Sequence, residues 1–170
     1  MNVYIDLDDT VADFRGYVEK VLNRKLSDNC HDLSYEDWKI IEREPVYLDL
    51  QVIEGAFNMV LNIVNEFRPL GYKIQFLTAI PKHMDRDEVI LHKTVWVKRH
   101  FPGMQVILVD STMDKLKYCH LADILIDDKS KLIEAWNKLG GTGIHHTSVE
   151  NTIEQLKHVQ KFNYCLGESD

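Results

Sequence analysis

With 170 residues, 45% of them apolar and 28% charged, the chain can build one domain around a real core. A domain of this size buries roughly 70% of its unfolded surface and needs no disulfide or zinc staple. Its 27 acidic against 20 basic residues leave a net charge of −7, which argues against a protein that grips duplex nucleic acid through phosphates, although one local basic pocket can still hold one phosphate. Cys30, Cys119 and Cys165 are widely spaced and form no CxxC pair, so they read as reduced thiols of a cytoplasmic protein. No apolar run approaches the roughly 20 residues that span a bilayer, and Met1 leads straight into a strand-like segment. Neither secretion nor membrane insertion is expected.

In chain order, the first apolar run is Val3–Ile5, short and β-branched, and it predicts a strand. Helical patterns follow near Phe14–Leu22, Tyr35–Glu42 and Gly55–Phe67, broken by Ser27–Asn29 and Pro45. No convincing strand falls between Asp13 and Gly71, an interval too long for a simple crossover. It reads as a helical insertion, residues 14–69, lying over the carboxyl edge of a sheet, with its last helix packing back on the core. Strands are then predicted at Tyr72–Leu77, Val106–Val109 and Ile124–Ile126, and a weaker one at Gly143–His146. Helices are predicted at Asp85–His100, Thr112–His120, Ser130–Leu139 and Val149–Val159. Such apolar strands fit a sheet covered on both faces, and strand–helix alternation implies parallel order. The expected fold is a doubly wound α/β sheet made of residues 1–13 and 70–170, interrupted by a small helical cap.

Three of the strand runs end in groups that handle phosphate. The first ends Asp6-Leu7-Asp8-Asp9-Thr10, the second Leu77-Thr78-Ala79, the third Leu125-Ile126-Asp127-Asp128. Open parallel sheets bind ligands beyond the carboxyl ends of their strands, so these distant clusters are expected to meet in one crevice. Asp6 and Asp8, two apart in extended chain, face the same way. A carboxylate approaching a phosphate dianion meets like-charge repulsion. Mg²⁺ removes it, and takes hard oxygen ligands; Asp6 and one acid of the Asp127-Asp128 pair would supply them. Asp6 could then attack phosphorus to form an aspartyl-phosphate, and Asp8 could act as acid, then as base. Thr78 offers a hydroxyl to the phosphoryl oxygens, and a lysine, Lys117 or Lys115, completes the cradle.

In this order the four clusters resemble the motifs of the haloacid dehalogenase (HAD) superfamily of phosphatases, and within it the 5′(3′)-deoxyribonucleotidases. Supporting stretches are Val11-Ala12-Asp13-Phe14, Leu48-Asp49-Leu50 before Gly55-Ala56, Lys93-Thr94-Val95-Trp96-Val97 and Ala122-Asp123-Ile124. The resemblance implies Asp6 as nucleophile and metal ligand and Asp8 as acid/base, with the Asp8 main-chain carbonyl on Mg²⁺. It implies Asp128 as the remaining protein ligand with Asp127 in support, Thr78 and Ala79 against the phosphate, and Phe14 against the nucleobase. The lysine eleven places before the second acid of the pair is Lys117, which the resemblance therefore prefers to Lys115. Ala79 stands where relatives often carry serine, so only its backbone N–H remains for that contact. The segment from Leu22 to Glu44 is shorter than in relatives, and Tyr35, Trp38 and Tyr47 are the aromatics available for the base-facing wall. The implied activity is Mg²⁺-dependent hydrolysis of a small phosphomonoester, a deoxyribonucleotide.

Plainer roles compete for several of these residues. Asp127 and Asp128 also suit the start of the helix that follows. Lys117 fits a solvated helix face, and Trp38 reads best as a core aromatic pinning the insertion. Lys93, Lys98, Arg99 and His100 read as a basic helix end that complements the dipole. The adjacent pairs Cys30-His31, Cys119-His120 and His145-His146 lack zinc-ligand spacing. Two other functions compete as well: a HAD phosphatase for sugar phosphates or nucleic-acid 3′-phosphates, and a non-enzymatic receiver domain phosphorylated on aspartate.

Overall fold

A computed structural model describes residues 1–27 and 33–167. Five parallel strands, β1 (Asn2–Ile5), β2 (Lys73–Ala79), β3 (Gln105–Val109), β4 (Ile124–Asp127) and β5 (Thr142–His145), form one sheet in the order β3-β2-β1-β4-β5. The doubly wound α/β expectation is borne out. Alternate residues of the strands feed two cores, as a pleat of period two requires. Val3, Ile5, Phe76, Ile124 and Ile126 face one layer, and Tyr4, Leu77 and Leu125 face the other. With both faces covered there is no polar alternation, so the strand sequences are nearly continuous apolar runs.

The first layer is closed by α4 (Ala56–Phe67), α5 (Arg86–His100) and α7 (Val149–Gly167), which contribute Met59, Ile63, Trp96, Val97 and Leu156. The second is closed by α6 (Ser130–Lys138) through Leu132, Ile133 and Trp136. Thr112–Tyr118, expected as an α-helix, is instead a 3₁₀ helix, a form used in short connecting pieces whose residues three apart stack in a row. Ser111 caps it, its Oγ accepting from the Asp114 amide.

The insertion leaves the sheet after β1 and carries α1 (Phe14–Leu22), α2 (Tyr35–Ile41) and a short α3 (Val46–Asp49). The last has no counterpart in the sequence reading, where Pro45 stands as a break. Pro45 is in fact its N-cap residue. Asp13 caps α1, its carboxylate accepting from the Gly16 amide at 2.8 Å. A Cβ on residue 16 would press into that carboxylate, so glycine keeps the cap. Departing and returning chains lie side by side: Asp13 N–H donates to Gln51 O, Ile53 N–H donates to Val11 O, and Ala12 bridges Val52 antiparallel. The sequence reading runs the insertion to residue 69; α4 itself packs on β2 and α7. Cys119 is a free thiol, while Cys30, His31 and the Cys165 side chain lie outside the described residues.

Candidate active site

The site lies where the strand order reverses. From β1 the chain moves outward to β2 and β3, then returns to β1's other flank with β4, which makes the carboxyl ends of β1 and β4 the switch point. Ile5 pairs with Phe76 on one side and Ile126 on the other, and the Asp6 amide donates to Ile126 O at 2.9 Å. This register sets Asp6 beside Asp127 and within a strand's width of Leu77-Thr78. Beyond Asp6 the backbone coils on itself. The Val11 and Ala12 amides both donate to Leu7 O, and Asp9 takes a left-handed φ of 57° with its carboxylate accepting from the Arg15 amide.

Acids and lysines interlock below the surface. The Lys115 ammonium, 2% exposed, lies 2.7 Å from Asp6 Oδ1 and donates to Asp127 Oδ2 at 2.6 Å. Burial by itself would lower its pKa, but the charges of Asp6 and Asp127 outweigh that and hold it above its ordinary value. The Lys129 amide donates to Asp127 Oδ1, and the Lys129 side chain donates to Asp128 Oδ2. Burial, followed by the charge of Asp6, pushes Asp127 up to about 7 and Asp128 up to about 6. The expected lysine must be corrected. Lys117 has a 75% exposed side chain paired with Asp114, whereas Lys115 reaches the acids. Thr112 and Lys115, three apart, share the inward row and line the cleft, and Lys117 falls outside it.

A second lysine, absent from the expected set, belongs here. Lys93 on α5 is 1% exposed and donates to Asp8 Oδ2 at 2.6 Å, Thr78 Oγ1 at 2.9 Å and Ala79 O at 2.9 Å. It is therefore no part of a solvated basic helix end. Burial raises the Asp8 carboxyl, the nearby Lys93 charge opposes that, and the direction remains upward. Thr78 is fully buried, with its hydroxyl oxygen taken by Lys93, and Ala79 is the residue of that pair that lines the cleft.

Above the acids opens a cavity of about 540 Å³. One wall is aromatic: Phe14 stacks on Tyr47 with ring centres 5.7 Å apart, and on Trp38 at 6.3 Å. Trp38, expected as a core aromatic, packs against the main core and also lines this cleft, where Phe14 stacks on it and His83 contacts it from the β2–α5 loop. Tyr35 is 60% exposed and touches His83 and Lys39 rather than the cavity.

The donor set fits a divalent cation. Asp6, Asp127 and Asp128 each offer a carboxylate oxygen within 4.8 Å of the others. Both oxygens of Asp127 are already taken, whereas Asp128 Oδ1 is buried with no hydrogen-bond partner among the described residues. A buried acceptor with no donor is expensive, and a hard cation satisfies it. Among the described residues, no helix is long and apolar enough to cross a membrane.

No curated protein matches the chain. A family profile does, that of the 5′ nucleotidase, deoxy (pyrimidine), cytosolic type C protein (NT5C), over residues 1–163. That span takes in β1, β2, β4, both buried lysines and the aromatic wall. The chain belongs to this HAD-type family of 5′-nucleotidases and is a hydrolase of phosphoric monoesters.

Proposed function

We propose that the chain is a Mg²⁺-dependent cytosolic nucleotidase that dephosphorylates deoxyribonucleoside monophosphates through an aspartyl-phosphate on Asp6. The observation that carries this reading is the juxtaposition of a buried carboxylate, its lysine at 2.7 Å and a second acid with an unpartnered oxygen, at the floor of a cavity with one aromatic wall. Asp6 and Asp128, with the main-chain carbonyl of Asp8, would hold Mg²⁺, whose charge lets a carboxylate approach a phosphate dianion. Family membership sets aside the receiver-type alternative.

In the first half-reaction an Asp6 oxygen bonds to phosphorus as the bond to the leaving oxygen breaks. Asp8, held by Lys93 and carrying a raised pKa, supplies the proton that makes the leaving group an alcohol. In the second half-reaction Asp8 takes a proton from water as that water bonds to phosphorus and the Asp6–phosphorus bond breaks. Lys115 and the Ala79 N–H complement the charge on the phosphoryl oxygens. Lys93 donates to the Thr78 hydroxyl oxygen and the Ala79 carbonyl and so fixes the strand end whose Ala79 N–H meets the phosphate, with Thr78 buried behind it. Phe14, Trp38 and Tyr47 receive the nucleoside, since a base stacks favourably on an aromatic face.

The test is phosphate release across deoxyribonucleotides, ribonucleotides, sugar phosphates, oligonucleotide 3′-phosphates and 4-nitrophenyl phosphate, with Mg²⁺ and with chelator. Fastest release from deoxyribonucleotides, lost on chelation, supports the reading. Deoxyribonucleotides turned over no faster than the aryl phosphate contradict the substrate class.

A further inference from the structure

Near the acids lies a buried hydroxyl with no hydrogen-bond partner among the described residues. Tyr47, the only polar member of the Phe14–Tyr47–Trp38 group apart from the indole of Trp38, is 1% exposed, and its Oη has no hydrogen-bond partner among the described residues. Yet the residue lines the cleft. Its ring is fixed by Phe14, stacked at 11° between planes, and by the Lys93 ammonium, 4.4 Å from the ring centre. Phenylalanine would make both contacts without burying an unpaired O–H, which is costly in a protein interior. The hydroxyl is therefore explained by something that enters the cleft.

Its neighbourhood narrows what that is. Burial, then the charges of Asp8, Asp9 and Asp6, holds the phenol well above its ordinary value, so it keeps its proton through the neutral range and is available as a donor. Those same acids mark the end of the cleft where the phosphate sits, and Phe14 with Trp38 marks the end where a base stacks. The group between them in a nucleotide is the sugar. In a deoxyribonucleoside 5′-monophosphate the sugar carries one free hydroxyl, at the 3′ carbon.

We propose that Tyr47 is a specificity-determining residue whose Oη donates a hydrogen bond to the free sugar hydroxyl of the substrate. This rests on the nucleotidase reading above and adds the group that distinguishes a sugar-bearing leaving group from a flat aromatic one. A site that buries a polar group to meet a substrate hydroxyl discriminates strongly against an analogue lacking it, because the protein's own group is then left unpaired.

The experiment compares kcat/KM of the native protein and Tyr47→Phe on thymidine 5′-monophosphate, 3′-deoxythymidine 5′-monophosphate and 4-nitrophenyl phosphate. The expected loss in Tyr47→Phe is about tenfold greater on thymidine 5′-monophosphate than on the aryl phosphate. Removing the 3′ hydroxyl from the substrate costs the native protein a similar factor, and both changes together cost no more than either alone. Equal losses on all three substrates, or losses that multiply, overturn the assignment. Should Tyr47→Phe not fold, the native protein decides: less than threefold discrimination between the two nucleotides overturns it. A native protein that releases phosphate from none of the three contradicts the nucleotidase reading, a result distinct from failure of this one.

Discussion

Lys93 Nζ sits 2.6 Å from Asp8 Oδ2 across 85 residues of sequence, and through the same ammonium it holds Thr78 and the Ala79 carbonyl. One buried cation thus ties the loop after β1 to the end of β2. Breaking a buried ion pair on one side costs about 3–5 kcal/mol, since the remaining charge is left without compensation. Lys93→Met is expected to lose stability on that scale in denaturant unfolding. Its turnover should fall by roughly 100-fold or more, and the group that must be deprotonated for the second half-reaction should titrate at higher pH. Native stability with an unshifted pH–rate profile would contradict this role.

The two lysines of the 3₁₀ helix separate cleanly. Lys115→Met removes the partner of both Asp6 and Asp127 and is expected to reduce kcat by about 10²–10³. Lys117→Ala removes an exposed pair with Asp114, of the solvent-screened kind that adds little to stability, and should leave kcat within twofold. Steady-state kinetics on any accepted nucleotide checks both, and the reverse ranking would restore the assignment made from motif spacing.

That reversal shows what the sequence could carry. The strand ends were legible because polar groups following short apolar runs emerge at the carboxyl edge of a parallel sheet, which brings out Asp6, Thr78 and the Asp127-Asp128 pair; the choice of Asp128 within that pair came from the resemblance. Lys115 was not legible, because the motif spacing counted back from the acid pair points to Lys117, and the inward row shared by Thr112 and Lys115 shows only in the folded segment. Lys93 was hidden by its charge: lysine in a helix with Lys98 and Arg99 reads as solvated surface. A signal existed, since Val89, Trp96 and Val97 stand four before, three after and four after it, all buried, and that spacing marks one helix face. Trp38 reads as an aromatic that pins the insertion to the core, which it does, and only the placement of Phe14 and His83 shows that the same ring also lines the cleft.

The raised acids tie stability to pH. Asp127, at about 7, and Asp128, at about 6, bind protons more tightly folded than unfolded, where a carboxyl sits near 3.9. Folding therefore takes up protons between these values, and stability falls as pH rises through 6 to 7. A cation that displaces those protons offsets the loss. Without metal, the native protein should lose Tm relative to Asp128→Asn on going from pH 5.5 to 7.5. Added Mg²⁺ should raise the native Tm more at pH 7.5 than at 5.5 and leave Asp128→Asn nearly unmoved. A Mg²⁺ shift equal at both pH values, or retained in the variant, would contradict the assignment of Asp128 as a ligand.

The aromatic wall should act on binding rather than chemistry. Trp38→Leu removes a stacking surface beside Phe14, and stacking of a base on an aromatic ring is worth about 1–3 kcal/mol. KM for a deoxyribonucleotide is expected to rise about tenfold with kcat little changed, while KM for 4-nitrophenyl phosphate moves less. Equal effects on both substrates would mean that the indole supports the cap instead of the nucleoside.

The measurement closest to the centre of the account is acid quenching of the protein during turnover of a deoxyribonucleotide with a radiolabelled phosphate, followed by peptide mapping. Label that is stable in acid, released by hydroxylamine and confined to the peptide carrying Asp6 is the predicted result, with Asp6→Asn giving neither label nor turnover. Undiminished phosphate release by Asp6→Asn, or label on a peptide elsewhere in the chain, would contradict it.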